Sequence, residues 1–120
     1  MDYLQFLNKI IKSDETIRSA IIFNKFGQIK ERDQRSDAEL YLNEYDTDKL
    51  LKESASSWHY RKELSSKVGE GLYALAEYGN IKRITLPIDN EHLLLITADI
   101  QDDQPTIVKN IRNMLEQENN

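Results

Sequence analysis

The sequence predicts an α+β domain in which a five-stranded antiparallel sheet carries helices on its faces, in the order α-β-β-α-β-β-β-α. Three observations lead there. The most apolar region, Gly69 to Ile100, is cut by Gly79-Asn80 and Asp89-Asn90 into three pieces of strand length, as an antiparallel meander would be. Two runs, Thr16 to Asn24 and His92 to Ile100, are apolar on both alternating phases, which suits central strands covered on both faces. Segments of helical periodicity, or free of Gly and Pro, precede, separate and follow these strands.

Composition sets the limits. A chain of 120 residues suits one domain with its own core, here residues 1–120. Charged residues make up 31% and hydrophobic residues 39%, but the latter cluster, which argues against general disorder. A net charge of -5 opposes nucleic-acid binding, for which only Arg61-Lys62 and Lys82-Arg83 offer paired cations. With no cysteine, disulfides, thiolate zinc sites and cysteine nucleophiles are all excluded. MDYLQFLNKIIKSDE has neither the basic lead nor the continuous apolar core of a signal peptide, and no run approaches a membrane span of about 18 apolar residues. The expected location is cytoplasmic.

Asp2 followed by Gln5 resembles a capping box, and Leu4, Leu7, Ile10 and Ile11 then recur at helical spacing until Ser13-Asp14. Lys9 and Lys12 are too few to hold this helix on a membrane, so packing on the sheet is expected. Thr16 to Asn24 is the first strand, with Ile17, Ile21 and Phe23 on one phase and Ala20 and Ile22 on the other. Lys25-Phe26-Gly27 turns the chain into a polar strand, Gln28 to Asp33, whose charge suits an exposed sheet edge.

Gln34 to Asp46 fits either a short helix or a loop. Ser36 and Glu39 could form a capping box, with Ala38, Tyr41, Leu42 and Tyr45 on one face, and Tyr41, Tyr45 and Tyr60 could supply part of an interface. Asp46-Thr47-Asp48 then caps the main helix, which runs to about Lys67. Its apolar stripe is thin: Leu50, Leu51, Ala55, Trp58 and Leu64. The small residues Ser54-Ala55-Ser56-Ser57, with Trp58 as the one large anchor, make a close-packing surface, against the helix's own sheet or against another copy.

Gly69 and Gly71 end that helix. Propensity alone would continue a helix through Leu72 to Tyr78, but the glycines before it and Gly79-Asn80 after it favour a hairpin strand. Tyr73 and Leu75 would share one face, and Leu72, Ala74, Ala76 and Tyr78 the other. From Ile81 to Ile88, Ile84, Leu86 and Ile88 should point inward and Arg83 and Thr85 outward, with Pro87 where pairing stops. Asp102-Asp103-Gln104-Pro105 starts a last helix with the stripe Ile107, Val108, Ile111, Met114 and Leu115. Residues 116–120 read as a frayed polar tail.

No catalytic or metal-binding signature emerges. His59 and His92 lie on different elements without ligand-like spacing, and the serines near Trp58 lack a Gly-x-Ser-x-Gly elbow. Asp99, Asp102 and Asp103 lack the spacing of a calcium loop and are better read as helix capping. Gly69-x-Gly71 ends a helix instead of opening one, so it is no phosphate loop. His59-Tyr60-Arg61-Lys62 is a solvated helix end in the simplest reading; the sharper one has Arg61 and Lys62 contact an acidic partner or phosphate.

The order of elements resembles the roadblock/longin/profilin-like group of α/β domains over nearly the whole chain. Two local features add to it. The hairpin IIFNKFGQIKER is similar to the strand, polar-x-x-Gly, strand opening of roadblock domains, and the block RKEL…GEGLYALAEYGNIKRITLPI…HLLLITAD resembles small archaeal proteins of this type. The resemblance implies that Ile17 to Asn24 and Leu93 to Ile100 are neighbours at the sheet centre. It also implies a homodimer through the second helix and third strand, about Thr47 to Lys67 and Leu72 to Tyr78, although this helix is unusually rich in Ser, Lys and Glu. The interface residues expected on that basis are Ser54, Ala55, Trp58, Arg61, Lys62, Leu72, Ala74, Ala76 and Tyr78. Roadblock domains serve as platforms for small Ras-like GTPases or as signalling scaffolds without chemistry of their own. The expectation is thus a non-enzymatic interaction module needing no cofactor or metal. The alternative is a sensory domain binding a small ligand between sheet and helices, near Tyr73, Trp58 or His92.

Overall fold

A computed structural model describes residues 1–36, 41–101 and 103–118. The elements are α1 (Tyr3–Ser13), β1 (Ile17–Asn24), β2 (Ile29–Gln34), α2 (Glu44–Val68), β3 (Ala74–Glu77), β4 (Ile81–Pro87), β5 (His92–Asp99) and α3 (Gln104–Glu118). The five strands form one antiparallel sheet in the order β2-β1-β5-β4-β3. The two doubly apolar runs, β1 and β5, are adjacent, as expected, with β5 at the centre. β2 and β3 are the edges.

Helices cover both faces. On one, Phe6, Leu7, Ile10 and Ile11 of α1 and Ile107, Val108, Ile111 and Leu115 of α3 pack on Ala20, Ile22, Ile84, Leu86, Leu94, Ile96 and Ala98. On the other, Leu51, Ala55 and Trp58 of α2 pack on Phe23, Leu93 and Leu95. Fully burying each large side chain of these clusters is worth about 1.5–3 kcal/mol. The second cluster is much the smaller, so α2 is the less firmly anchored helix.

Local chemistry sets the boundaries. The Asp2 carboxylate accepts the Gln5 N–H (3.1 Å) and starts α1. Leu4 is exposed and Phe6 takes its place in the core, because the buried stripe is centred on Phe6, Leu7, Ile10 and Ile11. Arg35 holds the far end of α1: its Nη2 donates to the carbonyls of Ile11 (2.6 Å) and Asp14 (2.9 Å), and its Nε to that of Ile17 (3.0 Å). Ile17 changes sides relative to the alternation read from sequence. The β1–β5 register skips one residue between Ile17 and Ser19, so Ile17 joins Ala20 and Ile22 beneath α1.

In the β1–β2 turn, the Asn24 side chain accepts the N–H groups of Phe26 (3.0 Å) and Gln28 (2.9 Å), and Gly27 adopts φ +81°. α2 begins at Glu44, before the sequence-predicted Asp46-Thr47-Asp48 cap, because the Asn43 side chain accepts the Asp46 N–H at 2.8 Å. Tyr45 therefore lies in the first turn of α2, and Tyr41 and Leu42 are not helical. Glu39 of the Ser36/Glu39 capping box and Ala38 of the helical face considered for this segment lie outside the described residues, as does Asp102.

After Gly69, which ends α2 at φ +90° with its N–H on Ser65 O (2.9 Å), β3 is a strand, shorter than Leu72 to Tyr78. Leu72, Tyr73 and Tyr78 flank its four paired residues. Pro87 is the last residue of the β4–β5 ladder, where no amide donor is needed. Thr85, expected to point outward, is buried because that face lies beneath α2; Leu64, counted in the apolar stripe, is exposed. The Asp103 carboxylate caps α3, accepting the Thr106 N–H (3.3 Å) and hydroxyl (2.9 Å). α3 continues to Glu118, which pairs with Lys9 at 3.3 Å.

Candidate interaction surface

α2 packs on Phe23, Leu93 and Leu95 and covers its face of the sheet only in part. Beside its middle turns a trough of about 230 Å³ runs between the helix and the β3 edge. Glu53, Ser54, Ser57 and Arg61 form its helical wall, and Ala74, Ala76 and Tyr78 the opposite one. Leu95, Thr85 and Arg83 line the floor. Its walls are wide apart because they are made of Ser and Ala: the small residues that allow a close approach leave space where nothing approaches. Charge is sparse and mixed, with Glu53 against Arg61 and Arg83, and the Arg83 guanidinium lies 4.9 Å from the centre of the Tyr78 ring.

The structure brings five of the nine interface residues named from sequence, Ser54, Arg61, Ala74, Ala76 and Tyr78, to this one trough. Ala55 and Trp58 lie underneath α2, 3% and 4% exposed, where they anchor it to Phe23, Leu93 and Leu95. Arg61 stacks over the Trp58 ring at 5.5 Å. Lys62 faces another way and donates to the Asn90 carbonyl at 3.0 Å. Leu72 is exposed just ahead of β3. Glu53, Ser57, Arg83, Thr85 and Leu95 were not among the nine, although Ser57 belongs to the small-residue surface read from sequence. Glu53 could have been found, since it stands four residues before Ser57 on the same helix side.

The β3 edge adds an apolar border. Leu72, Tyr73, Leu75 and Tyr78 are all at least 38% exposed, whereas the opposite edge strand, IKERDQ, is charged. Two further depressions exist on the α2 side. One, of about 140 Å³, lies toward β2 and is lined by Arg18, Ser19, Arg32, Thr97 and Arg83, with Arg18 paired to Asp99 (2.7 Å) and Arg32 to Glu44 (2.6 Å). The other, near Trp58 and His92, holds only about 60 Å³.

Neither histidine lines the trough. His59 sits 3.5 Å from Glu63 on the exposed side of α2. His92 lies between Asp89 (3.0 Å) and the Tyr3 hydroxyl (3.3 Å), where it ties the β4–β5 turn to α1. Partial burial alone would raise the Asp89 pKa, but hydrogen bonds from the Glu91 amide and the His92 side chain, the His92 charge and the His92 amide outweigh it and hold Asp89 below its ordinary value. Burial, with the Asp89 charge nearby, pushes the Tyr3 phenol up. Among the described residues no three His, Cys, Asp or Glu side chains converge as metal ligands would, and no helix is long and apolar enough to cross a membrane. The trough's chemistry is that of contact: small and apolar walls, a few charges and a strand edge with free backbone groups.

No protein-family model matches the chain, and no curated protein matches it in sequence. Solved structures do match in shape. The gliding protein MglB from Thermus thermophilus superposes with a TM-score of 0.77 at 13% identity, over 94% of this chain and 82% of that one. A Roadblock/LC7 domain from Streptomyces avermitilis gives 0.74 at 10% identity, over 98% and 92%. Profilin II from Acanthamoeba castellanii gives 0.60 at 10% identity, over 94% and 93%. The chain thus has the three helices, five antiparallel strands and element order of the roadblock/LC7 fold, within the wider profilin-like architecture.

Proposed function

We propose that this chain is a non-enzymatic interaction module of roadblock type, of the small archaeal kind its sequence resembles. It works in the cytoplasm as a homodimer through α2 and β3, and the pair is a platform for a protein partner, a small Ras-like GTPase or a signalling assembly. The observation that carries this reading is one juxtaposition: a strand edge with unpaired backbone groups and exposed Leu72, Tyr73, Leu75 and Tyr78 borders a trough walled by Ser54, Ser57, Ala74 and Ala76. The fold's likeness to MglB and the Roadblock/LC7 domain supports the class of module.

The test is the mass in solution. Light scattering at tens of micromolar should give a dimer for the wild type and a monomer for A76R, which places a third guanidinium beside Arg61 and Arg83. A wild-type monomer would overturn the homodimer. For the partner, affinity capture with wild type and A76R should recover a GTP-binding protein only with the wild type; equal recovery, or recovery of none, counts against the platform role.

The cavity beside Arg18, Ser19, Thr97 and Arg83 favours one second reading, a sensory domain for a small polar ligand under the N-terminal half of α2. Its place differs from the Tyr73, Trp58 and His92 neighbourhood considered from sequence.

A further inference from the structure

Beneath the first two turns of α2 the sheet changes character. Along β1 and β5 the face that meets this helix runs from Phe23 and Leu93, through Ile21 and Leu95, to Ser19 and Thr97. The last step is a complete polar row: Gln34, Ser19, Thr97 and Arg83 are successive partners across β2, β1, β5 and β4. Opposite residues in such a row stand about 5 Å apart, so their side chains can reach one molecule together. The row floors the cavity of about 140 Å³ that Glu44, Thr47 and Leu50 of α2 also line.

The skipped residue in β1 brings a second guanidinium. Consecutive strand residues normally point to opposite faces, yet Arg18 and Ser19 both line this cavity while Ile17 turns to α1. Carboxylates hold two of the three arginines here: Asp99 pairs with Arg18 and Glu44 with Arg32. Asp33 stands opposite Ala20, which packs beneath α1, and its carboxylate accepts the Gln34 N–H at 2.9 Å. Arg83 differs. Among the described residues its guanidinium has the Tyr78 ring but no carboxylate, and the hydroxyls of Ser19 and Thr97 have no hydrogen-bond partner. All three residues are half-buried. A ring contact leaves the N–H donors of a guanidinium unfilled. The positive end of the α2 dipole lies over the same space.

We propose that this cavity binds a small oxyanion, a phosphate or a short carboxylate, with Arg83 as its charge partner and Ser19 and Thr97 as hydrogen-bond donors. This rests on the small-ligand reading of the cavity and names the chemistry of the ligand. Size sets the upper limit: the space is well below the roughly 300–1,000 Å³ of pockets for drug-sized ligands, which suits phosphate or malonate and not a nucleotide.

Two-dimensional amide NMR tests the site, with sodium phosphate and sodium malonate titrated separately against sodium chloride of matched ionic strength. One oxyanion or both should saturate, with the largest shifts at Ser19, Thr97 and Arg83, and the tighter of the two assigns the site to phosphate or to carboxylate. R83Q should weaken that binding at least about tenfold and T97V at least about threefold, since each removes a hydrogen bond to a charged group. Thr97 does not line the trough, so T97V acts on the cavity alone and decides the matter where R83Q fails to fold. Shifts that follow ionic strength alone, or oxyanion binding that these substitutions leave unchanged, would overturn the oxyanion site. Acetamide, a neutral probe, separates that failure from failure of the small-ligand reading. Saturable acetamide shifts at the same amides without oxyanion binding would overturn the oxyanion and keep a polar ligand cavity; no binding of any probe would overturn both.

Discussion

Gly27 and Lys52 stand so close that a methyl group added to Gly27 would lie 2.7 Å from the Lys52 Cα and 2.8 Å from its backbone nitrogen. The β1–β2 turn thus rests directly on the α2 backbone, and Gly27 also needs its positive φ. G27A should destabilise the protein by about 2–3 kcal/mol in urea unfolding. K52A removes one obstructing atom, the Lys52 Cγ at 2.8 Å, but leaves the two backbone atoms in place, so it should not rescue G27A; a G27A/K52A variant of wild-type stability would refute the close approach of the backbones.

Arg35 should behave as a structural arginine. It serves three carbonyls from two elements, at the end of α1 and the start of β1. R35A should lose about 2 kcal/mol, and R35K most of the same, because an ammonium cannot reproduce the planar fork. Equal stabilities for R35K and wild type would show that the charge alone matters.

Trp58 is the chain's one tryptophan and lies beneath α2. Its emission therefore reports the docking of that helix. In denaturant the fluorescence and far-UV transitions should coincide if the two cores melt together. W58A should cost about 3–5 kcal/mol. An earlier fluorescence transition would instead mark α2 as a separately undocking unit, in keeping with the small size of its cluster.

Asp89 predicts a definite pH dependence. A carboxyl whose folded pKa lies below its unfolded one contributes stability that is full above the unfolded value and is lost as pH falls through the folded value. D89N keeps an oxygen for the Glu91 and His92 amides but loses the charge. Its thermal midpoint should lie below that of wild type at pH 7, and the gap should close below about pH 4. A gap that is constant with pH would assign the effect to the amide bonds alone.

The sheet was largely legible from sequence because the strong signals were local. Gly69, Gly71 and Gly79-Asn80 leave Leu72 to Tyr78 too little room for a helix, and the two-sided apolar runs require a central position. The phase of Ile17 was not legible, since a skipped residue at Arg18 depends on the partner strand and leaves no mark in the alternation of β1. Thr85 misled for a related reason: alternation tells which residues share a face, but not that both faces are covered. At the trough, Ala74, Ala76 and Tyr78 lie together as read, but Leu75, read on the opposite face, lines it too and Leu72 does not. The α2 side was harder, because on a helix with so thin an apolar stripe the face that meets the sheet and the face beside it are both made of small residues, and only packing separates Ala55 from Ser54 and Ser57.

The two sheet edges also decide how large an assembly can become. β2 carries Lys30, Glu31, Arg32 and Asp33 and a register shift opposite Ile22 and Phe23, so it offers an incoming strand little to pair with. β3 is short and bordered by apolar side chains. A molecule with one blocked and one receptive side can be joined edge to edge only once: union through β3 consumes the receptive side of both copies and leaves two blocked ends. An assembly joined in this way would be closed to further edge-to-edge growth, without any further residue devoted to stopping it.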